Sequence, residues 1–234
     1  ASLLKDPSTD TNAFLADFLP FQRKVAHCGA LNSLAQVLLK IAAPGVPDFY
    51  QGTELWDFSL VDPDNRRPVD YPHRTRLLTE LMIMERRGLT PLAGELLSSW
   101  EDGRVKLFTT YKALTFRRDR KELFLDGAYV PLTVTGGVKD HALAFARKRG
   151  DAWAIATVPR LATRLAPPGQ FPLGLGVWGA RTAVRLPTEA PGRWRNVFTG
   201  EILHAAGRGG AKLLHLHAVF HDFPVALLEG APEP

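Results

Sequence analysis

One cysteine and two methionines occur in the 234 residues. A single thiol closes no internal disulfide, so an apolar core has to hold the fold, and a reducing, cytoplasmic compartment is expected. Cys28 sits between apolar helical patterns and reads as a buried thiol, not a nucleophile. No uninterrupted apolar run approaches the roughly 20 residues that span a bilayer, so no membrane partner is expected. The opening ASLLKDPSTD lacks the basic and then apolar order of a secretory signal, and it starts with Ala and not Met, which points to a fragment or a processed chain. Net charge is +5, yet the densest basic run is RRDRK at 117–121, which reads as the solvated end of a helix. Without a longer tract or an interleaved aromatic module, no nucleic-acid partner is expected. DPDN at 62–65 lacks the glycine and terminal glutamate of a calcium loop. His215, His217 and His221 beside Asp222 lack further ligand spacing, so no metal and no cofactor is expected. Gly207, Gly209 and Gly210 around Arg208 have no strand–loop–helix context for a phosphate site. There is no internal repeat.

The remainder is ordinary for a soluble protein: 45% apolar and 23% charged residues. Residues 12–43 read as helix in two segments, capped by Thr11 or Asn12 and broken at Gly29. Pro44 and Gly45 stop the second segment, and Val46 to Tyr50 reads as a short buried strand. Helix, break, strand and polar loop is the order of an α/β barrel. Further helices are predicted over 72–87 and 103–119, with a Gly/Pro connector at 88–95 between them. After residue 126 the pattern changes to short alternating runs: 129–134, 142–148, 153–159, 182–187, 193–198, 212–217 and 224–230 read as strands. Gly150-Asp151 turns a hairpin, and 166–180 reads as a loop. The second half is therefore expected to be an antiparallel β-sandwich or a related sheet.

Chemistry concentrates in one loop, Gln51 to Tyr71. Glu54, Asp57, Asp62, Asp64 and Asp70 accept hydrogen bonds, Arg66 and Arg67 offer rigid donor forks, and Asn65 does both. Tyr50, Trp56 and Tyr71 add flat apolar faces. Bidentate polar groups suit the hydroxyl edge of a sugar, and aromatic rings suit its C–H face. The competing reading is that the same charges pair with one another and only stiffen the loop. An ordered loop of this length is more often functional. The candidate substrate-binding set is Glu54, Trp56, Asp62, Asp64, Asn65, Arg66, Arg67 and Tyr71.

PGVPDFYQGTEL at 44–55 resembles the eighth barrel strand and following turn of the α-amylase superfamily, glycoside hydrolase family thirteen. LWDFSLVDPDNRRPVDY at 55–71 narrows the resemblance to the branch that forms trehalose ends on malto-oligosaccharides. FLADFLPFQRKVAHCGALNSLAQVLLK upstream, and EDGRVKLFTTYKALTFRRDRKELF, GAYVPL, LAFARKRGDAWAIATVPRL and RWRNVFTGE downstream, extend it over most of the chain. The resemblance implies an α+β chain. Residues 1–126 would be the C-terminal part of a (β/α)₈ barrel, mostly helical with one barrel strand at 46–50. Residues 127–234 would be an all-β antiparallel sandwich domain.

It also implies a malto-oligosaccharide substrate and a retaining intramolecular transglucosylation, in which a carboxylate nucleophile and an acid/base act on an α-1,4 bond and an α,α-1,1 bond results. The three catalytic carboxylates of the superfamily follow the fourth, fifth and seventh strands. Only the eighth is visible here, so no catalytic residue is expected in this chain and no activity from it alone. Asp48 and Glu54 lie near the face where barrel active sites form, but neither is assigned as nucleophile or acid. Two alternatives remain: another α-glucan hydrolase or transglycosylase of the superfamily, and a non-catalytic carbohydrate-binding module.

Overall fold

The structure, a computed structural model, describes residues 12–167, 169–208 and 211–231. The chain begins with α1 (Ala13–Ala42), whose first turn is capped by Asn12: its side chain accepts from the Leu15 amide at 3.1 Å. Thr11, the other predicted cap, lies outside the described residues. Helices α2 (Tyr71–Glu85), α3 (Leu89–Ser98), α4 (Arg104–Asp119) and α5 (Lys121–Leu125) complete the helical half.

Three expectations for this half are corrected. No break occurs at Gly29. An interior glycine costs only about 1 kcal/mol, and the burial of Leu31, Leu34, Leu38 and Ile41 just beyond it outweighs that cost. The connector at 88–95 is mostly helix, because Pro91 falls in the first turn of α3, where a missing N–H is harmless. Leu92, Ala93, Leu96 and Leu97 then bury one face. The predicted buried strand at 46–50 does not form: the segment is irregular, and Val46 is 88% exposed. A strand exists only against a neighbour, and none of the described strands reaches it.

After residue 127 come β1 (Ala128–Thr135), β2 (Ala142–Arg149), β3 (Ala152–Pro159), α6 (Gly174–Trp178), β4 (Ala183–Leu186), β5 (Arg193–Asn196), β6 (Ile202–His204), β7 (Ala206–Arg208), β8 (Ala211–His215), α7 (Leu216–Val219) and β9 (Ala226–Ala231). The predicted loop at 166–180 contains α6, held by the buried Trp178, whose indole N–H donates to the Pro172 carbonyl at 2.7 Å. The predicted strand at 212–217 gives way to α7 at Leu216. The nine described strands form one antiparallel sheet in the order β6-β5-β9-β3-β2-β1-β4-β8-β7. β1 serves both halves of it, pairing with β2 through Ala128–Leu132 and with β4 through Thr133–Thr135.

Alternation along the central strands creates two cores. On β3, Ala154, Ala156 and Val158 face the helices, packing with Leu34, Leu38, Phe108, Phe116 and Phe124. Trp153 and Ile155 point the other way, into a second core with Trp178, Val184, Trp194, Leu214 and Phe220. The helices and the sheet thus share one core across residue 126. Both faces of β3 are buried, which is why its sequence reads as a continuous apolar run.

Arg147 of β2 points into the helical side and is 2% exposed. Its guanidinium donates to the carbonyls of Ala42 (3.4 Å), Phe124 (3.0 Å) and Gly127 (2.7 Å), at the ends of α1 and α5. Arg117 of α4 donates to Ile41, Ala43 and Gly45 of the same α1 terminus. Replacing Arg147 by Ala leaves those carbonyls buried without donors. We expect a loss of about 3 kcal/mol in urea unfolding, with Arg147→Lys recovering about half. A loss under about 1 kcal/mol would show that the guanidinium does not join the two halves.

Candidate functional site

The loop between Tyr50 and α2 starts with a tight turn, in which the Thr53 amide and hydroxyl both donate to the Tyr50 carbonyl, at 3.2 and 2.7 Å. Gly52 in this turn has φ +89°, a backbone conformation that favours glycine, and a Cβ there would sit tightly against Val69 at 3.3 Å. The far end is fixed by Asp70, which caps α2 by accepting from the His73 amide at 2.9 Å. Arg74 ties the two ends together. It donates to Glu54 at 2.9 Å, to the Gly52 carbonyl at 2.9 Å and to the Asp70 carbonyl at 3.2 Å. Tyr71 adds a hydroxyl hydrogen bond to Gln51 at 3.2 Å.

The middle of the loop turns inward at Trp56. Its indole N–H donates to the Trp100 carbonyl at 2.7 Å, and the two rings meet edge to face at 6.2 Å. Lys106 of α4 comes up beneath it, 8% exposed, donating to the Leu55 carbonyl at 3.0 Å with its ammonium 5.8 Å from the Trp56 ring. Burial pulls the Lys106 pKa down, and nearby Asp57 opposes that fall. The Asp57 carboxylate accepts from the Ser59 hydroxyl at 2.6 Å and its amide at 2.9 Å, which holds its pKa below the ordinary value.

The tip is an ion-paired turn. Asp62 pairs with Arg66 at 2.5 Å, and Asp64 pairs with Arg67. Asp64 also accepts from the Leu60 amide at 2.8 Å, the main cause of its lowered pKa. The 3₁₀ turn Asp64–Arg66 places Asn65 among them, with its carbonyl oxygen buried and unpartnered among the described residues.

Of the eight predicted residues, the structure gathers five, Asp62 to Arg67 without Pro63, at the exposed tip. Glu54 and Tyr71 sit at the base. Trp56 is apart from both groups, in the wall of a cavity of about 520 Å³ between α1 and the loop. That cavity is further lined by Val25, Gly29, Ser33, Asp57, Phe58, Trp100 and Lys106. A second cavity, of about 410 Å³, shares Ser33 and Lys106 and is lined by Asp48, Phe49, Tyr50 and Thr53. Lys106 stands between the two.

Sequence reasoning missed Lys106, Arg74 and Trp100. A lysine inside the apolar run Val105–Phe108 was the available signal for the first. Nothing local marks Arg74 beyond its position four residues after the capping Asp70. Elsewhere, among the described residues, Glu201, His221 and Asp222 bring three ligand-type atoms within 4.8 Å of one another. The His221–Asp222 contact, at 2.8 Å, raises the histidine pKa above its ordinary value. His215 and His217 have ring centroids 5.6 Å apart.

No family model matches the sequence. A Mycobacterium tuberculosis protein named as a maltooligosyl trehalose synthase is 39% identical over 207 residues, covering 87% of this chain and 21% of that protein. The structure of maltooligosyltrehalose synthase from Arthrobacter ramosus is 36% identical with a TM-score of 0.64, over 87% of this chain and 22% of that one. This chain is homologous to the maltooligosyl trehalose synthases. It spans about a fifth of their length. An Anoxybacillus α-amylase, 16% identical with a TM-score of 0.52, shares the fold over 87% of the chain.

Removing the Arg74 clamp tests the local architecture. In Arg74→Ala, Glu54 and the Gly52 carbonyl lose their donors. Limited proteolysis is expected to cut between about residues 57 and 67 several-fold faster, while the helical signal stays intact. An unchanged cutting rate would mean that the tip orders itself.

Proposed function

We propose that this chain is the C-terminal part of a maltooligosyl trehalose synthase. Such an enzyme converts the reducing-end α-1,4 bond of a malto-oligosaccharide into an α,α-1,1 bond by intramolecular transglucosylation. In this reading residues 1–126 complete a (β/α)₈ barrel, and residues 127–234 form the β-domain that follows it. The nucleophile and the acid/base lie in sequence outside this chain, so the chain alone is inactive. The homology to maltooligosyl trehalose synthases over 87% of the chain supports the reading. The cytoplasm is proposed as the compartment, on the single unpaired thiol.

The observation that carries the loop assignment is the tip at 62–67. It offers two carboxylates, two guanidinium groups and an amide within one turn, exposed and pre-ordered by their own pairs. The chemistry needs such a surface. After the α-1,4 bond breaks, the released glucose has to turn before its anomeric hydroxyl attacks the glycosyl-enzyme. Hydrogen bonds that hold the sugar while water is kept out favour transfer over hydrolysis. Asp62, Asp64, Asn65, Arg66 and Arg67 supply those bonds, with Tyr71 and Glu54 at the base. Trp56 acts through the wall it builds with Trp100, since its indole N–H is already committed.

Alanine replacement of Asp64 or Arg66 in the full-length enzyme is expected to lower trehalose-forming turnover about tenfold or more. The share of free glucose among the products should rise. Turnover and product ratio both unchanged would remove the tip from the site.

A further inference from the structure

We infer that Glu201, His221 and Asp222 form a binding site for a divalent transition-metal ion of the zinc type, which clips the turn between β5 and β6 to the segment between α7 and β9.

The three side chains come from two separate places in the sheet half of the chain. Glu201 closes the turn after β5 and precedes β6, whereas His221 and Asp222 follow α7. Their ligand atoms all lie within 4.8 Å of one another. His221 Nδ1 is 2.8 Å from Asp222 Oδ1 and 3.9 Å from Glu201 Oε1. Zinc holds imidazole nitrogen and carboxylate oxygen at about 2.0–2.2 Å, which sets neighbouring ligand atoms about 3.0–3.6 Å apart. The two observed distances fall on either side of that range, so shifts of a few tenths of an ångström seat the ion.

Both arms are held in place by the protein itself. Thr199, 4% exposed, donates to Glu201 Oε2 at 3.0 Å, which leaves Oε1 turned toward His221. A hydrogen bond behind a ligating carboxylate fixes its orientation. The Asn196 amide donates to the Glu201 carbonyl at 2.9 Å, and the Gly200 amide to the Asn196 carbonyl at 2.8 Å, so the turn closes on β5. His221 and Asp222 stand between Phe220 and Phe223, both fully buried.

Electrostatics favour a cation here. Among the described residues, His221 is the one basic side chain paired with either carboxylate. Burial and the Asp222 charge raise the Glu201 pKa, against the Thr199 hydrogen bond. A dication relieves the repulsion between the two acids. It takes the place of the hydrogen shared by His221 and Asp222, which leaves as a proton to solvent.

The donor set decides the class of ion. One imidazole nitrogen with two carboxylate oxygens suits zinc and its first-row neighbours, whereas calcium and magnesium take oxygen ligands. The His221 side chain is 63% exposed, so water can reach the fourth position. The sequence concealed the site because Glu201 stands far from His221 along the chain. His215 and His217, the histidines nearest in sequence, lie against each other instead.

Calorimetric titration of the untagged 234-residue chain with Zn²⁺, after removal of metal with a chelator, tests the proposal. One ion per chain is expected, with a dissociation constant of about micromolar order near neutral pH. Saturation should raise the melting temperature by a few degrees. His221→Ala and Glu201→Gln, both at positions outside the core, should each weaken binding at least about tenfold, and Thr199→Val several-fold. Ca²⁺ should bind at least about a hundredfold more weakly than Zn²⁺. No saturable zinc heat below about millimolar would overturn the proposal. So would undiminished affinity in both ligand variants, which would put the ion elsewhere, or calcium binding as tight as that of zinc. None of these residues belongs to the proposed glucan site, so the result is independent of trehalose formation.

Discussion

The buried guanidinium of Arg147 is the constraint on which the arrangement depends. Among the described residues it pairs with no carboxylate, and its charge is met by the carbonyl ends of α1 and α5 and by the Gly127 carbonyl where the chain enters the sheet. Helix C-termini carry partial negative charge and unsatisfied carbonyls, so a planar cation with several donors suits them better than an ammonium would. Burial and the neighbouring Arg117 both press its pKa down, but an arginine stays charged. Two arginines, from β2 and α4, therefore bind the same end of α1 and fix the long helix against both the sheet and the helical layer. The C-terminal end of α1 is held at that anchor, and its second half by the core packing of Leu34, Leu38 and Ile41.

From the anchor, position passes to the loop in two steps. α4 carries Arg117 at one end and Lys106 near the other, and Lys106 holds the Leu55 carbonyl from below. α2 carries Arg74, which gathers Glu54, Gly52 and Asp70 from the two ends of the loop. Each support is a cation on a helix reaching backbone carbonyls or a carboxylate in a segment without regular structure. The tip at 62–67 then needs only its own pairs, Asp62 with Arg66 and Asp64 with Arg67. Being exposed, these pairs contribute little to stability and much to the display of polar groups.

Much of this was legible in the sequence, for identifiable reasons. The strands β1, β2 and β3 and the turn at Gly150-Asp151 follow from alternation and turn chemistry that a short window contains. α4 was clear from Val105, Phe108, Ala113 and Phe116. The loop at 51–71 stood out because its polar and aromatic residues have no packing period. The tip that the sequence pointed to as a unit is a unit in space, but Trp56 belongs with Trp100, 44 residues away, and only the fold could say so. Gly29 and the 88–95 segment misled because local propensity was outweighed by burial of the neighbouring leucines. β6 and β7, three residues each, are too short to show a period. The strand expected at 46–50 is the instructive case: its sequence is strand-like, but a strand forms only against a neighbour, and none of the described strands lies beside it.

The central claim is that this chain supplies one wall of a glucan site and not the whole site. Calorimetric titration with maltopentaose tests it most directly, run on the isolated 234-residue chain and on the full-length enzyme under the same conditions. The account predicts measurable binding by the full-length enzyme and no saturable heat from the isolated chain up to about millimolar sugar. Micromolar binding by the isolated chain would contradict it, and would identify a self-sufficient carbohydrate-binding module instead.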